Sequence, residues 1–184
     1  MRNEASALDS RQFSHPEYIS LTTAHHILTT AGSSPYRVNM STIQCLMISG
    51  RYRTEALCSH WSKSGSKFCT APSCKGLNIV EDLDHILAFC GNLESTRQKL
   101  TEFTSNYIKK LGHPIVTEIV IKYCVSTNSL FCQFLVDCTS IPEVISATQI
   151  YGPDVQKSLL HITRVWCYCI HRDRLRTLGR WKKF

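Results

Sequence analysis

The chain has 184 residues, ten of them cysteine, with 43% hydrophobic residues, 19% charged residues and a formal net charge of +7. That length fits one domain, or one domain with a small module, and the basic balance suits a polyanionic partner. Ten cysteines could build a secreted disulfide scaffold; residues 1–30, however, carry Arg2, Glu4, Asp9, Arg11 and Glu17 with no apolar signal-peptide core, and no run approaches the roughly eighteen apolar residues of a membrane span. The expectation is therefore a reduced intracellular protein, nuclear or cytoplasmic, neither secreted nor membrane-spanning, in which most cysteines act as small hydrophobes.

In chain order, residues 1–14 read as a polar, flexible segment. Pro16 opens a helix to Ala31, with Leu21, Ala24, Leu28 and Ala31 on one face. Gly32, Ser33, Ser34 and Pro35 break it. A second helix is predicted from Val38 to Ser49, and a third from the N-cap candidate Thr54 to Trp61. After a polar link, Ser62 to Lys67, comes the cysteine-rich stretch discussed below. A periodic helix then places Leu93, Leu100, Phe103, Tyr107 and Leu111 on one face, with Gly112 as its stop. The β-branched segment Ile115 to Val125 fits helix or strand, and helix is the reading adopted. Further helices are expected at Ser129 to Asp137, from Pro142 to about Ile150, and from Asp154 to about Arg180, the last with Val155, Leu159, Ile162, Trp166 and Ile170 inward.

The stretch Phe68 to Cys90 carries the strongest chemical pattern. Cys69 and Cys74 form a C-x4-C pair around Pro72, and His85 and Cys90 form an H-x4-C pair ten residues on. Thiolate and imidazole are the donors of a closed tetrahedral zinc site, and three cysteines with one histidine make a common structural set. Glu81, Asp82 and Asp84 precede the apolar run Ile86 to Phe89 as the acidic first turn of a short helix would, with Gly91 ending it. The alternative is two chance pairs in a cysteine-rich chain. The spacing Cys167–His171 could also share a metal, but no further ligand is near it and core packing is the preferred reading. Cys58-Ser59-His60 is a poor chelate, and His25-His26 has no partner motif.

Two basic spots stand out. Arg51 and Arg53 flank Tyr52 in a turn. The tail carries Arg164, Arg172, Arg174, Arg176, Arg180, Lys182 and Lys183, interleaved with Trp166, Tyr168 and Trp181. Arginine beside aromatic rings suits phosphate contact and base stacking; the alternative for each is an ordinary packing or solvated face. Asp154 and Lys157 do not make a nuclease core, which needs converging carboxylates. No glycine-rich phosphate loop, nucleophile elbow or zinc-protease motif is present, so the chain is expected not to be an enzyme.

The run Ile43 to Trp61, IQCLMISGRYRTEALCSHW, followed by Cys69, Cys74, His85 and Cys90, resembles the region after the polymerase thumb in non-LTR retrotransposon reverse transcriptases, most closely invertebrate ones. The resemblance extends through VEDLDHILAFCGNLESTRQKL, the IPEVI at Ile141 to Ile145 and the tail WCYCIHRDRLRTLGRW, covering roughly Ser14 to Phe184. It implies that Cys69, Cys74, His85 and Cys90 are the ligands of a CCHC zinc knuckle. Gly91 replaces the proline that often follows the last cysteine. No paired-aspartate polymerase motif is present, so the chain looks like a detached C-terminal piece whose polymerase domain would be its partner in an intact element.

Together these readings give a mainly α fold, a multi-helix domain with a small embedded CCHC zinc knuckle. It divides into a flexible segment 1–14, an N-terminal helical group 15–62, the knuckle 63–92 and a C-terminal helical group 93–184 with a basic tail. The expected function is a non-catalytic, nucleic-acid-binding accessory region of a retrotransposon reverse transcriptase, holding one structural zinc ion and binding RNA or DNA. The alternatives are a zinc-stabilised protein-interaction module, or a retroelement relic without function.

Overall fold

A computed structural model describes Ile27 and residues 34–62, 65–124 and 129–180. The expected flexible segment 1–14, His25, His26, most of the helix 16–31, Lys63 and Ser64 of the polar link, and Trp181, Lys182 and Lys183 lie outside the described residues. Within them the protein is mostly helical and has no strand.

The first element, α1, runs Pro35–Ile48. It starts three residues before the expected point because Pro35 does not break the chain. It occupies the first helical turn, where a missing N–H costs nothing. α2, Glu55–Ser62, is capped as anticipated: the Leu57 N–H donates to Thr54 Oγ1 at 3.1 Å. A loop with one antiparallel bridge, Phe68 to Val80, leads to a short turn His85–Phe89 and a single 3-10 turn Gly91–Leu93. α3 spans Glu94–Leu111 and ends where expected, on Gly112 in the left-handed conformation at φ 64°. α4, Pro114–Cys124, resolves the β-branched segment as helix. α5 (Ser129–Asp137), a 3-10 turn (Cys138–Ser140), α6 (Pro142–Tyr151) and α7 (Pro153–Thr177) complete the chain.

α7 is the spine. It packs against α1, α3, α4, α5 and α6 and against the turns on either side of Cys90. The five residues whose spacing marked its inner face, Val155, Leu159, Ile162, Trp166 and Ile170, are all buried. α3 meets it through Phe103 and Tyr107, whose rings lie 6.2 and 5.1 Å from the His161 ring, and through Trp166 Nε1, which donates to Thr104 Oγ1 at 2.8 Å. α1 lies on both α5 and α7, so the stretches before and after the cysteine loop share one core. Among the described residues no single helix is long and apolar enough to cross a membrane. The bent pair Leu130–Ser140 and Pro142–Tyr151 passes on length and composition; of its apolar side chains, Phe131, Phe134, Leu135, Ile141 and Val144 are buried in the common core, while Leu130, Ile145, Ile150 and Tyr151 are exposed.

One polar side chain ties three helices together. Gln44 of α1 is fully buried, and its amide nitrogen donates to the carbonyls of Leu135 and Val136 at 2.9 and 3.1 Å and to Thr163 Oγ1 at 3.0 Å. Those two carbonyls belong to the last turn of α5, where no intrahelical donor remains. Gln44→Leu should strip the Val136 carbonyl of this donor and leave the Leu135 carbonyl with Cys167 Sγ alone, lowering unfolding stability by about 1–3 kcal/mol, read as a shift in the urea midpoint; an unchanged midpoint would contradict this role.

A second tie joins the turn before α2 to α7. Tyr52 is buried, its hydroxyl lies 3.1 Å from His171 Nδ1 and the two rings meet edge to face. Burial, helped by the neighbouring Arg174 guanidinium, pushes the His171 pKa from an ordinary 6.5 down to about 4. The folded protein therefore keeps this imidazole neutral while the unfolded chain takes up a proton, and stability drains away as pH falls from about 6.5 to about 4. His171→Gln should flatten the pH dependence of the melting temperature across that window relative to the parent protein; equal slopes would show that His171 contributes nothing to it.

Candidate metal centre

Four side chains converge between the two halves of the fold. Cys69, Cys74, His85 and Cys90 are all buried, and their ligating atoms lie within 4.8 Å of one another. Among the described residues no other such cluster of three or more occurs. Cys74 Sγ is 3.6 Å from His85 Nε2 and 3.9 Å from Cys90 Sγ. A tetrahedral ion with bonds of about 2.3 Å to sulfur and about 2.0 Å to nitrogen has edges of about 3.8 Å between sulfurs and about 3.6 Å between sulfur and nitrogen. The cluster could thus hold one metal ion.

The backbone builds this arrangement in two pieces. The first is a narrow ribbon: the Cys69 N–H donates to the Ile79 carbonyl at 2.8 Å and the Glu81 N–H to the Lys67 carbonyl at 2.9 Å. Within it the Cys74 and Lys75 N–H groups both donate to the Ala71 carbonyl, folding a tight turn behind Pro72 that brings Cys74 back beside Cys69. The second piece is the turn holding His85 and Cys90. Asp82 Oδ1 accepts from the His85 N–H at 2.8 Å, so the acidic stretch does cap this turn. The Cys90 N–H then donates to the His85 carbonyl, five residues back, at 2.7 Å. This π-type closure replaces the regular short helix expected over 81–90, and it is a form common at functional sites. Cys90 itself, in extended conformation, ends the turn, while Gly91 begins the next one. Gly91 also makes room: a Cβ there would come within 3.0 Å of Ser73 Oγ beside the second ligand.

Two partners that the sequence pattern did not flag fix the centre from outside. Arg97 of α3 is buried, donates to the Cys90 carbonyl at 2.8 Å and is held by Glu94 at 2.7 Å. Glu94 and Arg97 stand three apart on a helix, a pairing visible in the sequence, although nothing there ties it to Cys90. Glu81, between the second and third ligands, is buried against Arg174 of α7.

The surroundings act differently on the four side chains. Burial pushes the Cys69 and Cys90 thiols up. Burial acts the same way on Cys74, but hydrogen bonds from Ser73, Cys69, Cys90 and the Gly91 backbone outweigh it and hold Cys74 below the ordinary thiol range. Burial also pushes His85 down, so its imidazole is neutral, as a metal ligand must be. A bound divalent ion would be the largest local charge and would convert the thiols to thiolates.

The other sequence candidates separate cleanly. Cys167 Sγ donates to the Leu135 carbonyl at 3.3 Å while His171 faces Tyr52, so that pair is core packing. Cys58 and His60 stand outside the cluster. Asp154 and Lys157 form an exposed ion pair. Of the arginines expected at a nucleic-acid surface, Arg164 and Arg174 turn inward: Arg164 donates to the Ile27 carbonyl at 2.7 Å, and Arg174 pairs with Glu81 and sits 5.6 Å from the Tyr52 ring. Their expected surface role is thus corrected to a structural one: Arg174 lies one turn beyond the inward Ile170 and is covered by Glu81, whereas Arg164 lies off the Trp166–Ile170 stripe and is buried where the Ile27 backbone meets α7. Arg172, Arg176 and Arg180 stay at or near the surface, where Asp173 pairs with the first two and Glu55 with the third. Arg51 and Arg53 are exposed.

Compared with known protein families, curated proteins and solved structures, the chain matches none.

Cys90→Ser and His85→Ala should each abolish stoichiometric metal binding and broaden or lower the thermal transition, and a chelator should do the same to the parent protein. A full-strength transition in either variant, indifferent to chelator, would show that the cluster is only packed core.

Proposed function

We propose that the chain is a non-catalytic nucleic-acid-binding module whose cysteine loop is held by one structural zinc ion. Zinc follows from the donor chemistry: three soft sulfurs and one imidazole at tetrahedral spacing suit it better than a hard, oxygen-preferring ion. With four protein ligands no coordination position is left for a substrate, so the ion would serve structure. The resemblance to the region after the thumb of non-LTR reverse transcriptases suggests the setting, an accessory piece beside a polymerase domain, with RNA or DNA as partner.

The single observation that carries the nucleic-acid reading is the meeting of the two basic spots. They are more than a hundred residues apart in sequence, yet Tyr52 touches both His171 and Arg174, and Arg180 Nη1 lies 2.9 Å from Glu55. The turn bearing Arg51 and Arg53 therefore flanks the end of α7 bearing Arg172 and Arg176, and Arg180 just beyond it. A second reading, a zinc-stabilised protein-interaction module, draws support from the same region, since Asp173 and Glu55 already pair three of these arginines.

Binding of a short single-stranded RNA and of a DNA duplex, measured at about 50 and about 200 mM salt, separates the two. Four phosphate contacts would weaken single-strand binding by about 50-fold over that range through counterion uptake. Arg51→Glu with Arg53→Glu should weaken it further at low salt. Affinity for neither nucleic acid at low salt would favour the interaction module.

A further inference from the structure

Glu81 joins the metal loop to the basic surface, and its contacts point to a device that the sequence does not advertise. It lies between the second ligand, Cys74, and the third, His85, directly after the ribbon. Its backbone is held by that ribbon through the Lys67 carbonyl, and its own carbonyl accepts from the Ala56 N–H at 3.2 Å. Its carboxylate is not part of the Cys3His cluster: Oε1 accepts from the Glu55 N–H at 3.0 Å, at the start of α2, and from Arg174 Nη2 near the end of α7. Both side chains of the ion pair are almost fully buried, Glu81 at 2% and Arg174 at 7% exposure. Arg174 in turn covers the Tyr52 ring and stands two residues from Arg172 and Arg176 and six from Arg180.

We propose that the metal centre is a latch on the basic surface: a bound cation holds Glu81 where it neutralises Arg174, and loss of the cation frees the last turns of α7 together with the Arg51–Arg53 turn. This rests on the reading of the Cys3His cluster as a metal site. The physical reason is the asymmetry of buried ion pairs. Such a pair adds little net stability while intact, but removing one partner strands the other charge in the interior, and the element carrying it must move to find water. Between residues 65 and 80 the buried side chains are Cys69, Ala71 and Cys74, so two of the three anchors of the ribbon that positions Glu81 are ligands. Arg174 sits three residues from the end of α7, where the helix opens without breaking its packed middle. The module would then display its arginines in a defined arrangement only in the metal-loaded form.

Amide hydrogen exchange on the full chain, loaded with one equivalent of zinc and then chelated, tests this. Chelation should speed exchange by about tenfold or more in residues 51–57 and 171–178 as well as in the ligand loop, while residues 36–47 of α1 and 155–163 of α7 keep their protection. Glu81→Gln should loosen the same two segments while still binding one zinc per chain. Unchanged exchange at 171–178 after chelation, or in the loaded Glu81→Gln protein, would overturn the latch, as would uniform unfolding of the whole chain on chelation. A parent protein that takes up no metal at all is a different failure, that of the metal site itself, and it is read separately in the same samples by metal stoichiometry.

Discussion

Three sulfurs and one imidazole nitrogen drawn to a single point are the constraint on which the cysteine loop and the polar contacts around it depend. The loop that brings the first two together has almost no core of its own. From residue 65 to residue 80 the buried side chains are two cysteines and an alanine, while Leu77, Ile79 and Val80 face outward. Burial of so few groups does not offset the conformational entropy of ordering such a loop, which runs to about 1 kcal/mol or more per residue. Structural zinc in small peptides supplies on the order of 10 kcal/mol. An ion bound at this point would therefore be the dominant attachment of the loop, and the few hydrogen bonds of the ribbon would set its shape.

From that point the order of the structure spreads outward through a small number of polar contacts. Arg97 fixes the carbonyl of the last ligand to α3. Glu81 fixes the ribbon to the beginning of α2 and to α7. Tyr52 and Arg174 then join the turn before α2 to the same end of α7. These contacts are buried or partly buried and each ties together different elements of the chain, so each excludes alternative packings in a way that apolar contacts alone do not. The middle of the molecule is held differently, by the apolar face of α7 and by Gln44 filling the open end of α5. The protein thus has one region held by hydrophobic packing and another held by polar contacts around a Cys3His cluster that could hold a metal ion.

Much of this was legible in the sequence wherever a local rule governed the outcome. The inner face of α7, the stop at Gly112, the cap at Thr54 and the four candidate ligands each follow from spacing or from the chemistry of one residue. The failures share a cause as well. Pro35 reads as a break or as a first-turn residue with equal ease, and the neighbouring helix decides. The turn from His85 to Cys90 adopts a π-type closure that brings both side chains to the Cys69–Cys74 pair, a long-range arrangement that local propensity does not specify. The tail arginines look alike in sequence, yet Arg164 and Arg174 are buried on a helix otherwise rich in charge, and only the position of Ile27 and Glu81 explains why burial there is tolerated. Charge counted along a sequence overstates what reaches the surface.

The most direct test of the account is X-ray absorption spectroscopy on the purified, metal-loaded protein, because it reads the ion and its ligands together. The account predicts a zinc edge and a first shell of three sulfurs at about 2.3 Å with one nitrogen at about 2.0 Å. A shell dominated by oxygen and nitrogen, or a protein that retains no metal after purification under reducing conditions, would contradict it and would leave the loop from Phe68 to Cys90 without the interaction that orders it.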